Sequence, residues 1–577
     1  MEGKRQPTDP VGATGVSRRV FLGTGVAGGA AMLAGGWASL VDAASVRRLR
    51  FGGEGASWFE ATIPHLQHLM RTGRLTSREL TLEYLRRIRS LNPILGAVIE
   101  TNPNAVALAV HLDNERRKGW VRGPLHGIPI IVKDNIATRD NMQTTAGSLA
   151  LVHSRVPADA VIVDRLRRAG AVILGKANLS EWANFRGFSP FMDGMSLNGW
   201  SARGGFTHNP YVLGWDTSGS SSGSAVSAAA NLCAAAVGTE TDGSIVSPSG
   251  NNLVVGLKPS LGLVAQDGII PIAHSQDTAG PMARTVTDVA VLLGALQSPF
   301  GDVLGKPVPS DYTRFLRRGA LDGARIGVDP HMFYDYTDPI QATVAWQAVE
   351  AMQDLGATIV DPVDIGDPLA GFYDAEFTVL LYEFKVDVAR YLAGLGHTSM
   401  RTLADLIEFD IAHCPQEMKY YGQEIFEISE TTSGDLTDPV YLAARATSLE
   451  FARDEGLKAA IDDNHLDAIV IPSAGWSSSH AAVAGYPNLS LPVGFDSLQR
   501  PVGLCLIGDF LQEPKLISLA FDLEQEIKAR RPPEFLGTPP VWPDAGICAA
   551  LETKTVTALR GAEGPYRERA KRGGPKL

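Results

Sequence analysis

Cysteine is scarce in this chain. Its 577 residues include four, Cys233, Cys414, Cys505 and Cys548, far apart and with no C-x-x-C pair. That pattern argues against a zinc site, and a disulfide framework does not fit a chain of this length. Cys233 sits in an alanine-rich run and reads as a small core residue. Basic stripes are also lacking: the formal charge is −11, which excludes strong nucleic-acid binding. Past the first forty or so residues, no segment is long and apolar enough to span a bilayer. No internal repeat is visible. Charged residues make up 20% and hydrophobic residues 45%, ordinary globular usage. The length suits one large α/β catalytic domain carrying insertions.

Glycine, by contrast, is plentiful, with 60 residues in all, and it clusters in the first 60 positions and around 187–262. The first cluster follows Ser17-Arg-Arg-Val-Phe-Leu22 and precedes Val41-Asp-Ala43. Paired arginines before a weakly apolar stretch and a small-residue cleavage position form a twin-arginine export signal over 1–43. The expectation is a periplasmic or extracellular protein beginning near Ala44, with no stable membrane insertion after cleavage. The many glycines weaken the rival reading as a membrane anchor. Gly23 to Gly28 spell G-x-G-x-x-G, but inside the signal rather than between a strand and a helix, so no dinucleotide site follows. Residues 44–54 read as a short linker and 55–530 as the catalytic body. Arg530-Arg-Pro-Pro and Thr538-Pro-Pro open a proline-rich linker and a basic, disordered tail over 531–577.

Within the body, Thr76-Ser-Arg-Glu79 predicts a capping box. Leu80, Tyr84, Leu85, Ile88 and Leu91 recur at helical spacing, and Asn92-Pro93 is the expected stop. Ile128–Val132 reads as a short buried strand ending at Lys133, residues 159–169 as a helix, and Ala171–Leu174 as a strand. Residues 185–217 lack periodicity and read as a long irregular loop of the kind that carries function. Residues 224–236 read as an apolar helix. About 310–465 is a helix-rich insertion, including 404–413 and 440–463, and Leu466–Ile471 returns to strand. Alternating helices and short apolar strands imply an α/β fold with a buried mixed sheet flanked by helices.

The densest chemistry lies between 214 and 286. It holds Ser218-Gly-Ser-Ser-Ser-Gly-Ser224, Gly238-Thr-Glu-Thr-Asp-Gly-Ser244, Gly256-Leu-Lys-Pro259 and Gly280-Pro-Met-Ala-Arg284; upstream stands Gly127-Ile-Pro-Ile-Ile-Val-Lys-Asp-Asn135. A serine hydroxyl needs a base, and a lysine serves if burial keeps it neutral. Lys133 follows an apolar run, so burial is expected. A second hydroxyl can relay the proton, and glycines beside the nucleophile let backbone N–H groups face an oxyanion.

These motifs, in this order and spacing, resemble the amidase signature family over about residues 55–530. The C-terminal Ala484–Val493 and Pro501-Val-Gly503 extend the likeness. Position by position, the resemblance implies Ser244 as nucleophile, Ser220 as the bridging serine held through a cis peptide, and Lys133 as general base. It implies backbone N–H groups of Thr241, Asp242, Gly243 and Ser244 as the oxyanion hole, and Ser221 as triad support. It implies a small-molecule or peptide amide as partner, with no cofactor and no metal. Asp242-Gly-Ser244 departs from the Gly-Gly-Ser of many members, and Val246 stands where many carry arginine, which puts recognition of an acidic substrate group there in doubt. Thr241-Asp-Gly-Ser-Ile-Val246, Gly268-Ile-Ile-Pro-Ile272 and Ser275–Pro281 are most similar to bacterial peptide amidases.

Rival readings are weaker. Gly219-Ser-Ser-Ser-Gly223 spells G-x-S-x-G, but a polar loop precedes it where a nucleophile elbow needs a strand. His126, His153, His208 and His274 are then structural or pocket residues, His274 lying nearest the motifs. A glutaminase component of a tRNA-dependent amidotransferase would work in the cytoplasm, which the export signal opposes. A non-catalytic binding protein would have lost triad members. An aryl-acylamidase, carbamate or oligoamide hydrolase stays open, as do the leaving group and the oligomeric state. The pocket is expected from 185–217, Met142–Ser148 and the helical segment near Tyr382 and Phe384.

Overall fold

The computed structural model describes residues 55–191, 197–298, 302–473 and 476–551. The expected export signal, the linker at 44–54 and the basic residues of the tail lie outside these. One eleven-stranded mixed sheet organises the described chain. Its strands are β1 (Val98–Thr101), β2 (Pro129–Lys133), β3 (Val172–Ala177), β4 (Ala235–Glu240), β5 (Val255–Lys258), β6 (Thr278–Ala283), β7 (Arg325–Val328), β8 (Thr358–Val360), β9 (Ala468–Pro472), β10 (Asn488–Phe495) and β11 (Pro501–Ile507). Their spatial order is β1-β3-β2-β4-β6-β5-β10-β11-β9-β7-β8. β2 runs parallel to both β3 and β4. The centre, β4 to β11, is antiparallel. Ile130, Ile131, Val132, Ala235, Ala236 and Val237 are wholly buried, as strands covered on both faces must be. The α/β class with a mixed, helix-flanked sheet is as the sequence implied.

Local signals account for most elements, and tertiary contacts move several boundaries. Thr76 and Glu79 close a capping box at the start of α1 (Ser77–Leu95). The helix runs through Pro93 instead of stopping there. Its end is Gly96, in the left-handed region at φ 58°, where a Cβ would lie 2.0 Å from the Phe206 carbonyl oxygen. The helix at 159–169 is α2 (Val161–Arg168). The expected helix at 224–236 is shorter: α3 (Ser222–Ala229) ends, and Ala235 pairs with Ile130 as β4 begins. Alanine favours helix, but the buried ladder overrides propensity. The helix-rich insertion is not purely helical. It supplies α4 (Tyr373–Ala393) and α5 (Leu403–Ala412), and also β7 and β8, which extend the sheet beyond β9.

The body does not end at residue 530. Phe535 N–H donates to Pro210 O at 3.0 Å, Leu536 N–H to Tyr211 O at 2.9 Å, and Ala545 N–H to Lys419 O at 2.9 Å. Trp542 packs on Phe191 and Phe206. Cys414 and Cys548 form a disulfide that closes this segment onto the insertion, a pairing the spacing of four cysteines did not suggest. Among the described residues of 185–217, regular structure is limited to a short hairpin, Trp200–Ser201 with Gly205–Phe206. Arg186, fully buried, anchors it: its guanidinium lies 4.2 Å from the Tyr421 ring centre and 3.1 Å from Glu181. Among the described residues, no helix is long and apolar enough to cross a membrane.

Candidate active site

The parallel strands β2 and β4 end side by side and deliver two polar residues to one buried point. Lys133, last residue of β2, is 0% exposed. Its Nζ lies 2.7 Å from Ser220 Oγ, 2.9 Å from Thr239 Oγ1 and 3.1 Å from the Thr239 carbonyl oxygen. No carboxylate among the described residues pairs with it. Burial pulls its pKa down to about 7, against the opposing pull of Glu240 and Asp277. Asn135 Nδ2 donates to the same Thr239 hydroxyl at 2.9 Å, so Thr239 is the hub between Lys133 and Asn135.

Ser220 and Ser221 precede α3, and the Gly219–Ser220 peptide is cis. Ser180 N–H donates to Ser220 O at 3.1 Å. Ser221 Oγ donates to Thr239 O at 3.0 Å, and its own N–H donates to Ser244 O at 3.1 Å. Ser221 thus ties the serine-rich turn to β4 and to the turn holding Ser244. Gly238 permits this approach, since a Cβ there would meet Ser221 Oγ at 2.8 Å. The structure therefore gathers Lys133, Ser220, Ser221 and Ser244 from segments that span more than a hundred residues of chain.

The turn Thr241–Ser244 is fixed from outside by carboxylates. Glu240 accepts from the N–H groups of Ile245 and Val246 at 2.7 and 3.0 Å. Asp242 accepts from Ser478 and Ser479 at 2.5 and 2.7 Å. Asp277 accepts from Thr241 Oγ1 at 2.5 Å and from the Ile272 and Ala273 N–H groups. Burial pushes the Asp277 carboxyl up to about 7 although these donors oppose it. Gln276 Nε2 donates to both Thr241 O and Glu376. Gly243 has φ 79°, and a Cβ there would lie 2.9 Å from Ser478 Oγ. The amide N–H groups of 241–244 find no acceptor among the described residues.

A cavity of about 570 Å³ abuts this centre. Asn135, Thr239 and Thr241 line it, together with Leu261, Gly262, residues 264–272, His274, Asp277 and Thr278, and with Asp387, Arg390 and Tyr391 of α4. The pocket expectations are met only in part. Phe384 is buried against Phe185 and Phe426, and the Tyr382 hydroxyl donates to Asp438. Residues 145–147 wrap Asp134, through Thr145 Oγ1 and Gly147 N–H. Of the described residues in 185–217, none lines the cavity. His274 stands at the rim, its ring 2.7 Å from Asp387 and 3.2 Å from Glu383, and Asp387 above all raises its pKa. His126 is buried on Leu112 O, and burial lowers His208 to about 4.

The sequence reading missed Thr239, Asp277, Gln276 and Glu376 as site residues. Thr239 and Asp277 lie inside motifs already singled out. Glu376 had no signal, because only packing brings α4 to the turn.

The Amidase family model matches residues 79–481. The chain belongs to the amidase signature family. This amidase is 42% identical over 489 residues to “Probable amidase” of Arabidopsis thaliana, covering 83% of this chain and 92% of that one. The solved native peptide amidase from Stenotrophomonas maltophilia superposes with a TM-score of 0.77 at 46% identity, covering 82% of this amidase and 99% of that chain. A putative amidase of Schizosaccharomyces pombe is 36% identical over 527 residues, covering 84% and 88%.

Proposed function

We propose that this amidase cleaves peptide C-terminal amides through an acyl-enzyme on Ser244, releasing ammonia. The observation that carries the mechanism is the contact of Lys133 Nζ with Ser220 Oγ at 2.7 Å, with the lysine wholly buried. Neutral Lys133 takes a proton from Ser220 as Ser220 takes that of Ser244 and Ser244 Oγ attacks the carbonyl carbon. N–H groups of Thr241, Asp242, Gly243 and Ser244 hold the oxyanion, a contribution on the order of 10²–10³ per donor in rate. The C–N bond breaks, the nitrogen receives the proton back through Ser220, and water hydrolyses the ester by the same relay. Ser221 keeps the two serine turns in register.

The substrate class rests on likeness to the Stenotrophomonas peptide amidase. The test is ammonia and amine release by residues 44–577 on peptide C-terminal amides, anilides and carbamates. Ammonia from peptide amides, lost at least a thousandfold in Ser244→Ala, is expected. Amine from anilides or carbamates alone would move the substrate class; activity surviving in Ser244→Ala would sink the nucleophile.

We also propose export by the twin-arginine route. Ser17–Leu22 supports it, and so does the Cys414–Cys548 disulfide, since such bonds persist in oxidising compartments. The expected result is that Arg18→Lys with Arg19→Lys leaves the protein in the cytoplasm; unchanged export of that variant would overturn the route. A glutaminase role on cytoplasmic tRNA fits an exported chain poorly.

A further inference from the structure

We propose that the corner formed by Arg71, Arg74 and the tip Arg117–Val121 docks on an anionic phospholipid surface, where the protein adsorbs reversibly by seating Trp120 among the headgroups. This goes beyond the hydrolytic reading and does not depend on it.

The sequence supplies the charge. Arg116-Arg-Lys-Gly-Trp-Val-Arg122 holds four cations and no acid, and residues 61–78 hold Arg71, Arg74 and Arg78 with no acid, in a chain of formal charge −11. Packing brings the two stretches together. Arg116, near the end of the helix Ala105–Arg117, reaches the end of the helix Ile63–Arg71. Its guanidinium donates to Gln67 Oε1 at 2.8 Å and lies 3.8 Å from Met70 Sδ. Arg116 and Arg122 are engaged, the first also by the His126 carbonyl oxygen and the second by Glu115. Arg71, Arg74, Arg117 and Lys118 are exposed and meet no carboxylate among the described residues.

The tip supplies an apolar anchor. A helix C-terminus favours cations, and that alone accounts for Arg116 to Lys118. It does not account for the indole. The helix closes in a Schellman motif: Trp120 N–H donates to Glu115 O and Gly119 N–H to Arg116 O, each at 2.9 Å, with Gly119 at φ 82°. A side chain at the place of Trp120 often folds back on the last turn of such a helix. Here Trp120 is 69% exposed and Val121 47%, and neither joins a hydrophobic cluster of the described residues. The tip stands clear of the body, since a Cβ at Gly119 or Gly123 would meet nothing within 4 Å.

These features together choose the partner. Aromatic rings sit at headgroup level in a lipid layer, and each nearby lysine or arginine adds attraction to anionic lipid. A polyanionic strand is tracked instead by a groove with stacking rings along it, and this is a single ring on a protruding tip. No helix among the described residues is long and apolar enough to cross a membrane, so the contact is peripheral. It also leaves the candidate site free. His126, whose carbonyl oxygen Arg116 grips, lies just before β2, and Lys133 ends that strand. β2 itself spans about 13 Å at about 3.3 Å per residue, so the corner and Lys133 lie toward its opposite ends.

The test is co-sedimentation of the full chain, after signal removal, with vesicles of phosphatidylcholine alone or mixed equally with phosphatidylglycerol, at low and at high salt. The expected result is binding to the anionic vesicles, weakened at least tenfold by high salt, with none to phosphatidylcholine alone. Trp120→Ser and, separately, Arg117→Glu with Lys118→Glu should each lower the partition coefficient at least tenfold while Tm stays within about 2 °C. Leu498→Ser, which removes an exposed apolar side chain elsewhere, should leave it unchanged; an equal loss there overturns the placement. No binding to either vesicle overturns the proposal, and so does equal binding to both. Anionic binding that survives in both corner variants belongs to another part of the chain, such as the basic residues of the tail, and overturns the placement. Loss in only one of the two overturns it as well: charge alone fits any polyanion, and the ring alone fits any apolar surface.

Discussion

Lys133 holds a stability cost that its proposed role requires. Among the described residues it is one of three buried lysines that end sheet strands or sit within them; burial lowers Lys176 and Lys258 to about 8. Those two donate to carbonyl oxygens, of Ile136 and of Ala481 and Tyr486, and so act as fasteners. Lys133 alone of the three meets a serine hydroxyl. Its folded pKa, about 7, lies below the unfolded value near 10.4. Between those values the unfolded state binds the extra proton, so the penalty for burying Lys133 shrinks as pH rises from 7 to 10 and is full below 7. In the proposed mechanism the neutral amine is the base, so kcat/KM should fall about tenfold per pH unit below pH 7. A flat profile down to pH 5 would rule this base out. Lys133→Met should lose at least a thousandfold in kcat/KM while its Tm stays level or rises by a few degrees; a Tm falling by more than 5 °C would mean that the lysine stabilises the fold. The lysine was legible because an apolar run ends on it. Its Thr239 partner was not, because pairing of β2 with β4 makes that contact.

The turn 241–244 works as an element held by another element. The loop carrying Gln276 and Asp277 grips Thr241, through its hydroxyl and its carbonyl. That loop is in turn fastened to α4: Ser275 N–H donates to Glu383 at 2.9 Å, and His274 N–H and ring both meet Asp387. In the proposed mechanism this clamp holds the N–H groups in place before charge develops, which is where such groups gain their effect. Thr241→Val removes one hydroxyl from it. The expected outcome is a ten- to hundredfold fall in kcat with KM within threefold, as befits loss of a transition-state interaction. Thr241→Ser should restore most of the rate. Equal losses in both variants would show that the hydroxyl is not the agent. The motif at 238–244 was legible residue by residue, but the periodicity of α4 reports only that one face is buried and not what that face grips.

The described residues are organised by one eleven-stranded sheet, with the candidate site at the ends of its parallel strands and fastening elsewhere. The segment after 530 lies across the loop 206–213, and the Cys414–Cys548 bond closes a separation of 134 residues. Cys414→Ser with Cys548→Ser should cost about 2–4 kcal/mol of stability and speed amide exchange in 535–551. Exchange unchanged there would show that backbone pairing to Pro210 and Tyr211 suffices. By itself the sequence determined the α/β class, the capping box of α1, the strand that ends on Lys133, and the family through Ser220, Ser244 and Lys133. These are local matters: apolar period, turn chemistry and motif spacing act within a few residues of one another. Tertiary structure alone decided that Pro93 stays helical, that Ala235 joins a strand, that β7 and β8 extend the sheet, and that residues 535–551 belong to the body. It also decided that Thr239 meets Lys133 and Ser221, and that Asp277 and, through Gln276, Glu376 hold Thr241. Each of these depends on pairing or burial between segments far apart in the chain, and local propensity loses wherever a ladder bond or a buried face outweighs it.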